Sequence, residues 1–147
     1  MDKKSIKSIF VEGAITPSFI ATAIEKHQSK TGIGAHDIFM GQVRADVVNG
    51  NTVTAIEFTA QEEMANAVCH EIKEAAFAQF PITCMHIYHS LGTVKTGELC
   101  IFVFVSAPHR KIVFEALSHV VNQIKAKAPI FGKELFDNAS HQWKTNT

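Results

Sequence analysis

The segment Glu98–Ser106, ELCIFVFVS, decides how the rest of this sequence can be arranged. Within it, Leu99–Val105 is an unbroken apolar run. The run is far shorter than the roughly 20 residues that span a bilayer, and it lacks the alternation of a strand with one face in water. It therefore predicts a central β-strand that other elements cover on both faces.

Working outward from this strand, apolar periodicity and turn residues predict strands and helices in alternating groups. Strands are expected at residues 5–11, 35–44, 53–58 and 83–90, with a turn at 49–51 before the third of these. Helices are expected at residues 18–27, 62–80 and 113–124. Thr16-Pro17 is a typical helix start, and Pro81 and Pro129 end the later helices.

This order of elements predicts an α+β fold, a mostly antiparallel sheet with three main helices packed on it. The 147 residues fit a single domain, 1–147, in which about 138–147 form a polar C-terminal tail. No glycine-rich dinucleotide motif and no P-loop are present in the sequence.

Composition excludes several functional classes. The formal net charge is zero, which argues against a partner bound by bulk charge, such as nucleic acid. No membrane span is predicted, and no signal peptide is expected from the charged N-terminal residues. The three cysteines form no CxxC pair, which suggests a reducing compartment. We therefore expect a cytoplasmic protein that binds neither nucleic acid nor membrane.

Cationic side chains are concentrated at a few positions. The only two arginines, Arg44 and Arg110, each follow an apolar strand, and His109 precedes Arg110. Three lysines lie in the segment 125–134, KAKAPIFGKE, after the third helix. Arginine and lysine at such positions suit recognition of phosphate or carboxylate. Solvated helix ends and unrelated surface arginines explain the same residues equally well, so both interpretations stay open.

Cys84, His86 and His89 have the residue types of a metal-binding cluster. Strand alternation places Cys84 and His86 on one face and His89 on the other. A tetrahedral zinc site would need further ligands from elsewhere in the chain, and the sequence indicates no convincing set. No metal site is predicted.

Five motifs together resemble one family. They are F-x-G-x-V-R from Phe39, I-E-F-x-A-x-x-x-M-A from Ile56, H-x-x-G-x-x-x-x-G-E from His89, the pair His109-Arg110, and K-A-K-A-P-I-F-G-K-E from Lys125. Their order and spacing resemble the large subunit of molybdopterin synthase, the MoaE family, over nearly the whole chain.

The resemblance implies an α/β hammerhead fold and a sulfurtransferase of molybdenum cofactor biosynthesis. Such an enzyme converts cyclic pyranopterin monophosphate (precursor Z) into the molybdopterin dithiolene. The sulfur donor is the thiocarboxylated Gly-Gly C-terminus of a small ubiquitin-like subunit. The resemblance also implies a homodimer within a heterotetramer, and a reaction without a metal or organic cofactor.

Site residues follow from the same resemblance. Lys125 and Lys133 are implied as catalytic, Lys125 acting on the carbonyl of the donor tail or as a proton donor. The implied substrate contacts are Phe39, Gln42, Val43, Arg44, His109, Arg110, Gly132 and Glu134. These groups are expected to line one cleft, within one chain or across a subunit boundary.

Two positions depart from the family pattern, because Gln42 and Gly132 stand where lysines are usual. Lys133, in the loop after the helix, is expected to reach the pocket in place of residue 132, or Lys125 acts alone. The departures also favour a rival interpretation, a noncatalytic protein that binds a small subunit or an anion. A second rival is a structural dimerisation domain with an incidental basic edge.

Overall fold

The computed structural model describes residues 6–145, which form one sheet of eight strands and three helices. In chain order the elements are β1 (Phe10–Glu12), α1 (Pro17–His27), β2 (Ala35–Gln42), β3 (Val47–Val48), β4 (Asn51–Ala60), α2 (Glu62–Gln79), β5 (Cys84–Lys95), β6 (Leu99–Ala107), α3 (Arg110–Lys127), β7 (Ile130–Phe136) and β8 (His141–Trp143). The strand order is β2-β6-β5-β4-β7-β8. Strand β1 pairs with β5 in parallel and β3 pairs with β4, and every pair except β1–β5 is antiparallel. The predicted α+β fold is confirmed.

Strand β6 lies between β2 and β5 and is buried on both faces, as its apolar run predicts. Ile101 and Val103 pack into a core cluster with apolar residues of α2 and α3. Phe102 and Phe104 face the other way and pack with Ile20 of α1. The sheet is therefore sandwiched, with α1 on one face and α2 and α3 on the other.

The helix boundaries follow from local chemistry. Thr16 caps α1, its side-chain oxygen accepting a hydrogen bond from the backbone N–H of Phe19 at 3.1 Å. Helix α2 ends at Gln79, just before Phe80 and the predicted stop at Pro81. No helix among residues 6–145 is long and apolar enough to cross a membrane.

The predicted turn at 49–51 is present, but the long strand that follows it, β4, does not pair with β2. Asn49 and Gly50 both have positive φ, 52° and 79°, the conformation of a tight hairpin turn. This hairpin joins β4 to the two-residue strand β3 only, while β2 pairs with β6. A register shift between Gly41 and Gln42 ends β2 before the turn, so β4 pairs mainly with β5 and β7.

The C-terminal part contains two strands that periodicity did not indicate. Residues 130–136, IFGKELF, were expected as loop but form β7 beside β4. Glycine and charged residues interrupt the apolar alternation of this segment in the sequence. It forms a strand nevertheless, because β4 supplies backbone hydrogen-bond partners along its length. Within the predicted polar tail, β8 pairs with β7.

A close backbone approach at Gly34 ties the start of β2 to the turn before α3. The N–H of Gly34 donates to the carbonyl of Ala107 at 3.0 Å. A Cβ atom at position 34 would overlap the backbone carbonyl of Pro108. Only glycine fits here, and the contact positions the turn that carries His109.

Replacing Gly34 with alanine should therefore lower the free energy of unfolding by about 1–3 kcal/mol, because backbone has to move to relieve the overlap. Gly32→Ala is the matched control, since a Cβ there meets no atom within 4 Å. Urea denaturation of both variants measures the difference. Equal stability of the two variants would contradict the argument.

Candidate functional site

A pocket of about 160 Å³ lies where the C-terminal ends of β2 and α3 meet β4, β5 and β7. Its lining combines apolar walls with charged groups. The lining residues are Gly41, Gln42, Val43, Arg44, Asp46, Ile56, Phe58, His89, Cys100, Ile101, Ile124, Lys125, Ala128, Ile130, Phe131, Gly132, Glu134 and Lys144. An apolar pocket with a few polar groups is the usual form of a small-molecule site.

Arg44 stands at the rim of this pocket on an anchored backbone. The preceding residue, Val43, is 1% exposed, and its backbone bonds to the carbonyl of Glu98 and the N–H of Gly97. The guanidinium is itself 72% exposed and pairs with Asp46, Nη2 to Oδ2, at 3.2 Å. Such an exposed pair contributes little stability, so Arg44 can turn toward an anion at low cost.

Lys125 comes from the last turn of α3, next to the buried Ile124. Burial lowers the pKa of Lys125 below its ordinary value; the Cys100 thiol acts in the opposite direction, and the positive charge of Lys144 lowers the pKa further. A lysine with a lowered pKa holds more of its neutral amine near pH 7 and transfers protons more readily. Lys125 is thus the side chain of the pocket best suited to chemistry.

The floor of the pocket is uncharged near neutral pH. Burial lowers the pKa of His89 to about 4, and its ring N–H at Nδ1 donates to the carbonyl of Ser90 at 2.8 Å. Burial raises the pKa of the Cys100 thiol. The charges of the pocket therefore lie on its walls, where the three cations Arg44, Lys125 and Lys144 outnumber the two carboxylates Asp46 and Glu134.

Strand β7 places Gly132 and Glu134 in the pocket lining but not the residue between them. Lys133 pairs with Glu57 on β4, Nζ to Oε1, at 3.1 Å, and its ammonium lies 5.9 Å from the centre of the Trp143 ring. The expectation that Lys133 sits in a loop and reaches the pocket is therefore corrected. Strand alternation turns it away.

Gly132 leaves little room for a side chain. A Cβ atom there would lie 3.0 Å from Cγ2 of Ile56 and 3.3 Å from Cε1 of Phe58. These two side chains fill the space at the wall of the pocket. Glu134 is 9% exposed and accepts a hydrogen bond from Nε2 of Gln142 at 2.9 Å.

Lys144 is a pocket residue that the sequence reasoning missed. It follows β8, and its backbone N–H donates to the carbonyl of Gly132 at 2.7 Å. The charge of Lys144 also acts on the pKa values of Lys125 and Cys100. The sequence predicts a polar tail here, and only the pairing of β8 with β7 brings this lysine back to the pocket.

Three predicted site residues lie elsewhere in this chain. His109 precedes the first residue of α3 and Arg110 begins that helix, whereas Lys125 lies in its last turn. Fifteen residues of helix separate Arg110 from Lys125 by about 22 Å. Phe39 lines a shallow groove between β2 and α3 that also includes the half-exposed Phe114.

Comparison with known proteins gives a consistent picture. The family model described as "MoaE protein" matches residues 15–127. Proteins named molybdopterin synthase catalytic subunit are similar to this chain. The one from Drosophila willistoni is 36% identical over 121 residues, covering 78% of this chain and 31% of that protein. The one from Pyrococcus abyssi is 35% identical over 109 residues, covering 74% of this chain and 73% of that protein.

The chain thus spans about a third of the length of the first Drosophila relatives it matches. Solved structures agree in fold. Molybdopterin synthase from Staphylococcus aureus superposes with a TM-score of 0.80 at 24% identity, covering 94% of this chain and 96% of that one. A complex of subunits 1 and 2 of the molybdopterin-converting factor from Helicobacter pylori gives 0.78 at 20% identity, covering 92% and 88%. On the extent of the family match and the identity to these relatives, the chain belongs to the MoaE protein family.

Proposed function

We propose that this chain is the catalytic subunit of a molybdopterin synthase. It transfers sulfur from the thiocarboxylated C-terminus of a small ubiquitin-like subunit to cyclic pyranopterin monophosphate and so forms the molybdopterin dithiolene. The observation that carries the proposal is the placement of Lys125, with its lowered pKa, in one pocket with Arg44 and Lys144. The enzyme acts in the cytoplasm.

The relatives support this assignment. The Pyrococcus abyssi protein, most of whose length this chain covers, is named a molybdopterin synthase catalytic subunit. The Helicobacter pylori structure is a complex of two subunits. This complex supports the proposal that the present chain also binds a partner subunit.

The chemistry of the pocket matches the charges of both reactants. The substrate carries a cyclic phosphate and the donor tail ends in a thiocarboxylate, so both bring negative charge. Arg44 at the rim suits the phosphate, and Lys144 and Lys125 hold the thiocarboxylate. Lys125 then acts on the tail's carbonyl or supplies a proton as sulfur leaves, and water replaces the lost sulfur to leave a carboxylate.

Two of the three cysteines, Cys69 and Cys100, support an external source of sulfur. Burial raises the pKa of Cys69 to about 11, and it also raises the pKa of Cys100. A sulfur-carrying cysteine needs a thiolate that is accessible and stabilised. Cys69 is fully buried in the core, so it does not meet this need.

A noncatalytic binding protein remains the second candidate. The specific observation in its favour is that Gln42 and Gly132, both in the pocket lining, carry no charge. Such a protein would bind the small subunit or the pterin phosphate without turnover. A synthase assay with thiocarboxylated partner and precursor Z separates the two functions.

Replacing Lys125 with alanine should reduce the rate of dithiolene formation by at least about 100-fold, because the group that acts on the tail is removed. Binding of the small subunit and thermal stability should change little. Lys127→Ala is the matched control, since it removes a lysine of the same helical turn that lies outside the pocket lining. Full activity of the Lys125 variant would refute its catalytic role.

Lys144 should matter more than Lys133. We expect Lys144→Ala to lower kcat/KM for the thiocarboxylated small subunit by about 10-fold or more, because a cation that holds the thiocarboxylate is lost. Lys133→Ala should cost less than about 3-fold, since its partly exposed pair with Glu57 contributes little. Steady-state kinetics of both variants measures the difference. A larger loss of activity in Lys133→Ala than in Lys144→Ala would show that Lys133 is the functional residue.

We also propose that two copies of the chain form a homodimer within a heterotetramer, in which His109 and Arg110 of one copy complete the pocket of the other. Support comes from the helix itself. Its length keeps Arg110 about 22 Å from Lys125 of the same chain, and both His109 and Arg110 are exposed.

Co-expression of a Lys125→Ala chain with an Arg110→Ala chain tests this arrangement. In a mixed dimer, one pocket receives both intact residues and the other receives neither, so a statistical mixture should recover about a quarter of the wild-type activity. Each variant alone should be inactive. Activity that stays at the level of the single variants would show that both residues serve the same chain's pocket.

A further inference from the structure

A second group of chemically active side chains lies beneath the C-terminal end of α1. Among residues 6–145, His27, Cys84 and His86 bring one nitrogen or sulfur atom each within 4.8 Å of the others. The two histidines meet at 2.9 Å between their Nε2 atoms. His27 and Cys84 are buried, at 7% and 5% exposure. The structure thus supplies from α1 the third ligand that the sequence did not indicate.

The hydrogen bonds of His27 prepare its ring to bind a metal. Its Nδ1 lies 2.7 Å from the backbone carbonyl of Ala23, and because a carbonyl only accepts, this nitrogen carries the proton. The Nε2 atom of His27 then accepts the hydrogen bond from Nε2–H of His86, and His86 moves this proton to its Nδ1 when both Nε2 atoms bind a metal ion. Metal-binding histidines typically have this arrangement, with the second nitrogen donating to a carbonyl that fixes the ring.

The spacing of the two nitrogen atoms is close to that of tetrahedral zinc. Zinc–nitrogen bonds of about 2.0–2.1 Å at tetrahedral angles place two nitrogen ligands about 3.3 Å apart. The observed 2.9 Å between the Nε2 atoms therefore has to open by only about 0.4 Å. Cys84 and His86 are two residues apart on β5, so their side chains share one face.

The surroundings of the cluster are aromatic on one side and cationic on the other. The ring of Phe104 lies 4.8 Å from the His27 ring, centroid to centroid. On the outer side, the exposed Lys30 donates from Nζ to Sγ of Cys84 at 3.1 Å. The sulfur therefore already faces a cation, and the long Lys30 side chain can leave when a metal ion takes its place.

We propose that His27, His86 and Cys84 form a zinc-binding site, with Nε2, Nε2 and Sγ as ligands and the fourth position open toward solvent near Lys30. Two imidazoles and one thiolate without a carboxylate are a ligand set that favours zinc among the common divalent ions. The site revises the expectation from sequence that the chain binds no metal.

This site is separate from the pocket. On β5, His86 lies opposite Phe104 of β6 and faces α1, whereas His89 faces the pocket from the other side of the sheet. Zinc would therefore link α1 to β5 rather than take part in sulfur transfer. Its effect should appear in stability and spectroscopy, independently of the proposed enzyme activity.

The experiment uses the full chain, reduced and freed of metal with a chelator. Zinc is titrated in competition with a chromogenic chelator, and cobalt is titrated as a spectroscopic probe. We expect one ion per chain, a thiolate-to-cobalt charge-transfer band, and the visible absorption of tetrahedral cobalt. The melting temperature should rise by about 5–10 °C when free zinc exceeds Kd 100-fold.

Variants locate the site. Cys84→Ser should abolish the charge-transfer band. Both Cys84→Ser and His86→Gln should weaken zinc binding by more than about 100-fold, because loss of a residue that only hydrogen-bonds to a metal ligand already costs about 10- to 100-fold. Lys30→Met should strengthen binding, because it removes the cation that competes for the sulfur. His70→Gln, an exposed histidine of α2, is the matched control and should bind zinc as the wild type does.

Circular dichroism of the metal-free variants verifies that each is folded. Absence of stoichiometric zinc binding in the wild-type chain would overturn the proposal. Binding that survives both Cys84→Ser and His86→Gln would also overturn it, because the ion would then be held elsewhere, for example at Cys100 and His89 of the pocket.

Discussion

The burial of β6 on both faces is the constraint on which the rest of the structure depends. Residues 101–105 are at most 2% exposed, and burying each such apolar side chain contributes about 1.5–3 kcal/mol. Their sum is comparable to the whole net stability of a domain. The strand must therefore be covered by α1 on one side and by α2 and α3 on the other, and this cover sets where each helix lies on the sheet.

The pocket is a consequence of this arrangement. Helix α3 lies on the sheet so that its last turn reaches the end of β2, and Lys125 and Arg44 line the pocket there. The C-terminal hairpin of β7 and β8 closes the remaining side and brings in Lys144. The positive charges come from three distant parts of the chain, and none of them depends on a charge run in the sequence.

The fold was largely predictable, and the site only in part. Strong periodicity marked α2 and β6, because a long amphipathic or fully apolar segment has few alternative packings. Strand β7 was missed because Gly132 and Lys133 interrupt its pattern, and with it the direction of the Lys133 side chain was misjudged. Lys125 and Arg44 were predicted through family resemblance. His27 could not be linked to His86, since the two are 59 positions apart and only packing of α1 on β5 joins them.

The sequence by itself determined the fold class, the family and the identity of the lysine in the pocket. These properties reside in local periodicity and in ordered motifs, which neighbouring residues along the chain encode. Only the tertiary structure decided that Lys144 rather than Lys133 joins Lys125, that Arg110 lies a helix length away, and that His27 meets Cys84 and His86. Each of these relations depends on strand register and helix packing between distant segments, and a shift of one residue in a strand reverses the face on which its side chain lies.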